Sequence, residues 1–374
     1  MFAIGTMPMN KTITIIGGGI VGLNIAYHLG LQKKYEIFLL EREEFLGHHT
    51  STRNSEVIHA GFAYGPNSLK AKLCVEGNRL TFELLNKLQV VYKREGKWII
   101  ARDERESQAL EALMANAKEC SVPGMKFVKP DDVVSKTPEI VVPKSVVHSE
   151  TSGIIDCAGY IRALEVVLSN MERVEIVYPC AVQGVDTKKG IVSTNRGEIN
   201  FDVLINSAGL FADEVYKMSG GDRNFEIRPY KGEYYTWRKG KIDGLVYPVS
   251  HRFLNVGDAT KVSSMGVHLH RNVAGELFIG PTEIPLLVNQ KTDYSISTTA
   301  SQIIEQVSWL LKTPPSPTDI EQGFAGNRPK LFEDGKPIGD FKIFKDENVV
   351  HLLGIESPGL TSAPAIARHV GNLI

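Results

Sequence analysis

No run of 18 consecutive apolar residues occurs in the 374-residue chain, so no segment is expected to span a membrane. Cysteine is scarce. Cys74, Cys120, Cys157 and Cys180 are the only four, and no two form a C-x-x-C pair, which argues against a zinc site or a disulfide framework. They are expected to be reduced thiols, mostly buried, in a cytoplasmic protein. Neither sign of charge dominates: 42 basic and 43 acidic residues leave a net charge of −1, with no electrostatic demand for nucleic acid or a bilayer. The first ten residues, MFAIGTMPMN, lack the basic flank and the apolar length of a secretory signal. Internal repeats and low-complexity tracts are also missing. What is present, 43% hydrophobic and 23% charged residues, describes an ordinary globular chain, and its length suggests two domains.

The most informative stretch is TITIIGGGIVGLNIAYHLGLQKKYEIFLLE, residues 12–41. A β-branched apolar run at 12–16 meets Gly17, Gly19 and Gly22 at G-x-G-x-x-G spacing, and Ile20, Leu23, Ala26 and Tyr27 then follow at helical spacing. A second apolar run at 37–40 ends in Glu41, about 20 residues past the last glycine, where a dinucleotide site needs an acid for a ribose hydroxyl. The first glycine permits a sharp turn, the second a close approach to a pyrophosphate, and the third close packing of helix on strand. The pyrophosphate would rest on the helix N-terminus, where free N–H groups favour anions.

After Glu41 the expected strand and helix units give way to REEFLGHHTSTRNSEVIHAGFAYGPNSLKAKLC, too long for a simple connector and too apolar at Val57, Ile58, Phe62 and Tyr64 to be disordered. A helix is expected over about 69–88, a strand over 96–101 and a helix over 104–118. A Pro-rich change of texture through Pro130, Pro138 and Pro143 reads as a second domain inserted into the first. The chain returns near 153–156, with a helix at 160–170 and short strands at 174–178, 181–187, 191–194 and 198–201 forming a meander of the kind seen as a crossover in FAD-binding folds. FDVLINSAGLFAD, 201–213, reads as a buried parallel strand ending in a small-residue turn, where Ala208 and Gly209 let backbone approach a cofactor. EYYTW, LVYPVS, VSSMGVHLH and ELFIGP are expected to build a substrate-side sheet, followed by a helix at 298–311, a strand at 349–353, and a terminal helix from about 363 with Pro364 in its first turn.

Taken together, the opening glycine motif, NSEVIHAGFAYGPNSLKAKLCVEGN, VYPV with GVHLH and FIGP, and the closing GNRP and SPGLTSAPA resemble the D-amino-acid-oxidase-like FAD oxidoreductases over nearly the whole chain. Within that superfamily the sequence is most similar to the branch acting on L-2-hydroxyglutarate. AGNRPK and ESPGLTSAPA are more similar to the short α-glycerophosphate oxidases, and the stretch 251–263 is longer and more polar than that branch would have. The resemblance implies an α/β fold: a glutathione-reductase-type, Rossmann-like FAD-binding domain from 11–85, 151–215 and 322–374, and a discontinuous β-rich substrate domain from 86–150 and 216–321. It also implies FAD, a small 2-hydroxy acid substrate, oxidation to the 2-oxo acid, and an acceptor that is a quinone, a dye or oxygen, with peripheral membrane contact left open. An α-glycerophosphate or amino-acid oxidase on the same scaffold, or a flavin-binding protein without turnover, are the rival readings.

The residues expected at the site follow from the same motifs. His59, in the turn Val57-Ile58-His59-Ala60-Gly61, and His268 are the candidates for removing the hydroxyl proton, since an imidazole titrates near neutrality. His270 shares the face of His268, with one of the pair expected at the surface. Arg328 in GNRP offers a planar fork for a carboxylate, with a turn at Pro329 as the structural alternative. Lys70 and Lys72 are expected on a solvated helix face, although Lys70 could meet a second acid group; Tyr64 and Tyr247 could line the pocket. Gly17, Gly19, Gly22, Glu41, Asn54, Ser55, Val182, Ala208, Gly209, Gly359, Leu360 and Thr361 make up the expected cofactor contacts. The segment 357–362 is expected to bring backbone N–H groups to the flavin pyrimidine edge. No metal is expected.

Overall fold

The computed structural model describes residues 11–254 and 266–374. The opening ten residues, most of the polar stretch 251–263 and the first part of the strand expected at 262–270 lie outside the described residues.

Two large sheets organise the chain. The first has six strands in the order Lys342–Asp346, Val349–Leu353, Val203–Asn206, Lys11–Ile16, Tyr35–Leu40, Val174–Val177, all parallel except the antiparallel edge strand Lys342–Asp346. Its central strands are covered on both faces, and they accordingly read as near-continuous apolar runs. The helix Ile20–Gly30 is apolar on most of its circumference because it is packed against the sheet, against Cys157–Ser169 and against the terminal helix Gly359–Gly371. The strand expected at 174–178 joins this parallel sheet. Val182–Asp186, Ile191–Thr194 and Gly197–Asn200 alone form the three-stranded meander.

The second sheet runs Lys336–Ile338, Ile320–Glu333, Phe225–Trp237, Leu277–Gly280, His268–Arg271, Leu245–Pro248, Lys97–Ala101, Ser145–Ser149, Met125–Val128, with Ile284–Pro285 paired on the side of Phe225–Trp237. The part of the chain from 322 to 338, attributed from sequence to the nucleotide-side segment, pairs in this sheet. Pro329 lies inside the strand Ile320–Glu333, opposite Pro229, so two residues without an N–H face each other and no turn forms there. Trp98, Ile100, Val246, Leu269 and Ile279 point to one face and bury against Ile303, Val307 and Leu310. The opposite face, by the two-residue alternation of strands, carries Lys97, Tyr247 and His268 from three neighbouring strands.

The helix Leu69–Leu88 starts where expected. The Ser68 side chain accepts from Ala71 N–H, and Asp340 accepts from the N–H groups of Leu69 and Lys70 at 2.8 and 2.9 Å, an acid at the positive helix end. The expected helix at 298–311 is Ala300–Val307 followed by a single tighter turn. Expectation and structure differ most at the C-terminus: the helix runs Gly359–Gly371, and Pro364 is interior to it rather than in its first turn. Packing against Ile20–Gly30 and Leu69–Leu88 outweighs the one backbone hydrogen bond that proline cannot make. Cys74, Cys157 and Cys180 are buried, Cys120 is half-buried, and all four are unpaired thiols. No described helix is long and apolar enough to cross a membrane.

Candidate active site

A single cavity of about 1360 Å³ runs between the two sheets. That exceeds the roughly 300–1,000 Å³ of ordinary small-molecule sites and suits a dinucleotide plus a substrate. At one end are the first strand, its glycine turn and the helix behind it. Gly17 has φ +106°, and a Cβ there would lie 2.5 Å from the Ser207 carbonyl oxygen. Only glycine fits this turn. Gly22 stands behind the cavity wall, where a Cβ would meet the Gly17 carbonyl oxygen at 2.0 Å, and so it lets the helix close onto the strand. Gly19 is the residue before the helix and lines the cavity. Glu41 is buried at the end of Tyr35–Leu40. Its carboxylate accepts from Gly18 N–H at 2.8 Å and Glu43 N–H at 2.9 Å, and burial, partly offset by those bonds, pushes its pKa up. Asn54, Ser55, Val182, Ala208, Gly209, Gly359 and Leu360 also line the cavity. Thr361 does not, but its Oγ1 accepts from the His59 N–H at 2.9 Å and fixes that backbone.

His59 and Lys97 form the centre of the other end. The His59 carbonyl accepts from Asn78 Nδ2 at 2.9 Å, which, with the Thr361 bond, ties this turn to two helices. Its ring Nδ1 lies 3.3 Å from Lys97 Nζ and its Nε2 lies 3.4 Å from Ser357 Oγ. Burial, and then the Lys97 charge, hold the imidazole well below its ordinary pKa, so it is neutral at neutral pH. Lys97 has no exposed surface, and burial pulls its pKa down to about 7. Its Nζ stands 4.0 Å from the centroid of Tyr247.

His268 lies on Tyr247, with ring centroids 3.7 Å apart and planes at 19°. Its Nδ1 meets the Gly266 carbonyl at 3.0 Å, while its Nε2 and the Tyr247 hydroxyl are buried without a partner among the described residues. Both residues line the cavity, and orphaned polar atoms of this kind call for a ligand or water. Burial, then the neighbouring His270, keep His268 neutral. His270 is not at the surface. It is 1% exposed, lies outside the cavity wall between Tyr234 and Phe278, and is held at about 3 by burial.

A cationic corner completes this end. Arg328 lines the cavity and donates only a long bond, 3.4 Å, to the Thr282 carbonyl; among the described residues it has no carboxylate partner. Lys70 is not on a solvated face: it is 6% exposed, and its Nζ meets Glu356 Oε1 at 2.7 Å. Lys330 takes the other oxygen at 2.9 Å. Burial alone would raise the Glu356 pKa, but the two ammonium groups overcome it and hold the carboxyl at about 2. Lys72 is exposed, as expected. Tyr64 and Tyr247 both line the cavity. Lys97, Lys330 and Glu356 were not singled out from sequence. A lysine opening the apolar strand KWIIA was the available signal for Lys97.

The glycine cradle, the buried acid after the second strand and the orphaned Tyr247 and His268 atoms fit FAD, with its nucleotide at the first sheet and its ring between the sheets. The family profile described as FAD dependent oxidoreductase, DAO, matches residues 12–373. The chain belongs to the DAO family of FAD-dependent oxidoreductases. The L-2-hydroxyglutarate dehydrogenase of Escherichia coli K12 is similar to this DAO-family chain, 28% identical over 95% of this chain and 91% of its own. A glycerol 3-phosphate dehydrogenase of Caloramator mitchellensis is 30% identical over 97% of this chain and 73% of its own. Among solved structures, the dithionite-reduced, FAD-bound L-α-glycerophosphate oxidase of Mycoplasma pneumoniae superposes with a TM-score of 0.80 over 97% of this chain and 94% of that one, at 23% identity. Among the described residues of this DAO-family oxidoreductase, no group of His, Cys, Asp and Glu is arranged to hold a metal.

Proposed function

We propose that this oxidoreductase converts L-2-hydroxyglutarate to 2-oxoglutarate. The observation that carries the reading is Arg328: a guanidinium in the cavity with no acid of its own among the described residues, on the strand next to the one that supplies Gly232 and Tyr234. A substrate carboxylate would complete it, since the fork matches two carboxylate oxygens. His59, neutral and facing the same cavity, takes the proton of the carbinol hydroxyl. Bound FAD supplies the acceptor for the hydride on the carbinol carbon. Lys70 and Lys330 border the cavity as well, and they give a second, distal carboxylate a positive corner to face, although Glu356 already claims most of their charge. Tyr64 and Tyr247 bound the substrate laterally and exclude water.

The similarity to L-2-hydroxyglutarate dehydrogenases supports this substrate, and the similarity to a glycerol 3-phosphate dehydrogenase supports the alternative, a phosphate in place of the distal acid. Anaerobic mixing of the purified yellow protein with L- and D-2-hydroxyglutarate, glycerol 3-phosphate and amino acids separates the two. Bleaching of the flavin band by the L-hydroxy acid alone is the expected result. Bleaching by glycerol 3-phosphate alone overturns it. Reoxidation by oxygen, a quinone or a dye in a second mixing step then identifies the acceptor.

A further inference from the structure

Lys97 is a buried amine with one described hydrogen-bond partner, and that partner is the Nδ1 of the histidine proposed as the base. Around the pair, the titratable and aromatic groups come from every neighbouring element: Cys74 from the helix Leu69–Leu88, Phe62 and Tyr64 from the preceding loop, Tyr247, His268 and His270 from the adjoining strands, and Ser357 from the segment before the terminal helix. None is a carboxylate, so no acid among the described residues fixes Lys97 as an ammonium. Burial brings its titration to about 7, within reach of neutral pH.

The two protonation states of Lys97 dictate opposite roles for His59. An ammonium at 97 can only donate, which leaves Nδ1 as acceptor and puts the proton of the neutral ring on Nε2. That ring cannot accept a proton from a substrate. A neutral amine at 97 accepts from Nδ1–H, and Nε2 is left with a free lone pair on the cavity side, where Ser357 Oγ now stands at 3.4 Å. We propose that Lys97 is a positioning residue that sets the tautomer of His59 and receives, through its ring, the proton given up by the substrate hydroxyl. In the step, the substrate O–H bond breaks and its proton goes to Nε2. The Nδ1 proton passes to Nζ and Lys97 becomes an ammonium, while the carbinol hydride goes to FAD, the oxidant of the family. The inference rests on a hydroxyl-bearing substrate, as proposed above, but not on which hydroxy acid it is.

The test is ¹⁵N-histidine NMR of the oxidised holoenzyme without substrate, over about pH 5.5 to 8.5, with His59→Asn used to assign the signal. The His59 ring should exchange its protonated nitrogen from Nε2 to Nδ1 as the pH rises, and the exchange should vanish in Lys97→Met. In stopped-flow reduction, the parent rate should climb over the same window. Lys97→Met should lose that slope and be about tenfold or more slower at the alkaline end, as part of the contribution of general base catalysis. Lys97→Arg, which stays charged, should be slow at every pH. A His59 ring that keeps one tautomer throughout, or a Lys97→Met protein with the parent pH profile, overturns the proposal. If the tautomer exchange is present but L-2-hydroxyglutarate does not bleach the flavin, it is the substrate assignment that fails, and the role of Lys97 stands.

Discussion

The guanidinium of Arg328 borders the space that a side chain on Gly232 would fill: a Cβ at 232 would lie 2.9 Å from Nη2 and 3.2 Å from Nη1, and 2.9 Å from the Pro281 Cβ. The two residues sit on adjacent antiparallel strands, two register positions apart, with Arg328 opposite Tyr230 and Gly232 opposite Gly326. Glycine at 232 is thus what lets a long cationic side chain lie across the sheet and end at the cavity.

Gly232→Ala should therefore act as an Arg328 variant without touching the charge. The flexible guanidinium yields more readily than the Pro281 ring, so the protein should fold with some loss of stability and keep FAD while substrate affinity falls. Arg328→Lys should do the same, because an ammonium lacks the planar fork. Loss of one charge-assisted hydrogen bond, about 1.5–3 kcal/mol, corresponds to at least tenfold in affinity. Titrating flavin reduction with substrate checks both, and parent-like concentration dependence in both would remove Arg328 from the binding role.

His59→Asn should slow flavin reduction by about 10²–10⁴-fold, the usual range for a general base. The product, 2-oxoglutarate, gives up no hydroxyl proton, so the concentration at which it perturbs the flavin spectrum should shift little. His268→Phe keeps the stacking on Tyr247 and removes the orphaned Nε2. It should instead weaken ligand binding. A reversal of these two patterns would exchange the roles of the histidines.

Where a local pattern and its tertiary surroundings agree, the chain could be read directly. Residues 69–88 combine a serine cap with apolar residues at helical spacing, and the helix forms there. Gly17, Gly22 and Glu41 were legible because a turn, a close approach and an acid at a set distance leave a one-dimensional trace. What could not be read depends on partners far away in sequence. Lys70 looks like a surface lysine until Glu356, 286 residues on, turns it inward. Pro364 looks like a helix start until two other helices hold the preceding turn in place. Lys97 and Tyr247 meet only because their strands pair in parallel, a register that local sequence does not specify.

Gly22→Ala tests the cofactor end. Its methyl group would meet the Gly17 carbonyl oxygen at 2.0 Å and Ser207 Oγ at 2.9 Å, so the helix must back away from the glycine turn. Such overpacking costs about 1–3 kcal/mol, and it moves the helix N-terminus off the site where a pyrophosphate would rest. The variant should purify with little or no flavin and a lower melting temperature. Full FAD content at parent stability would mean that this turn does not hold the nucleotide.

The final prediction concerns Glu356, whose two oxygens are shared by Lys70 and Lys330. Because all three are nearly inaccessible to solvent, the carboxylate is what allows two ammonium groups to lie close together in the protein. Glu356→Gln keeps the shape and removes the charge, leaving Lys70 without its acid and Lys330 with only the more distant Glu283 at 3.9 Å, and breaking a buried pair costs about 3–5 kcal/mol. The pH dependence has a fixed sign. The folded-state pKa of about 2 lies below the ordinary carboxylate value near 4.5, so this stabilisation is complete above the unfolded pKa and disappears as the pH falls through the folded one. Thermal melting of the FAD-loaded parent and Glu356→Gln at a series of pH values should therefore show a wide gap at neutral pH that holds down to about 4.5 and closes toward 2. A gap of constant width across that range would mean that the glutamate contributes shape alone, and that Lys70 and Lys330 draw their stability from elsewhere.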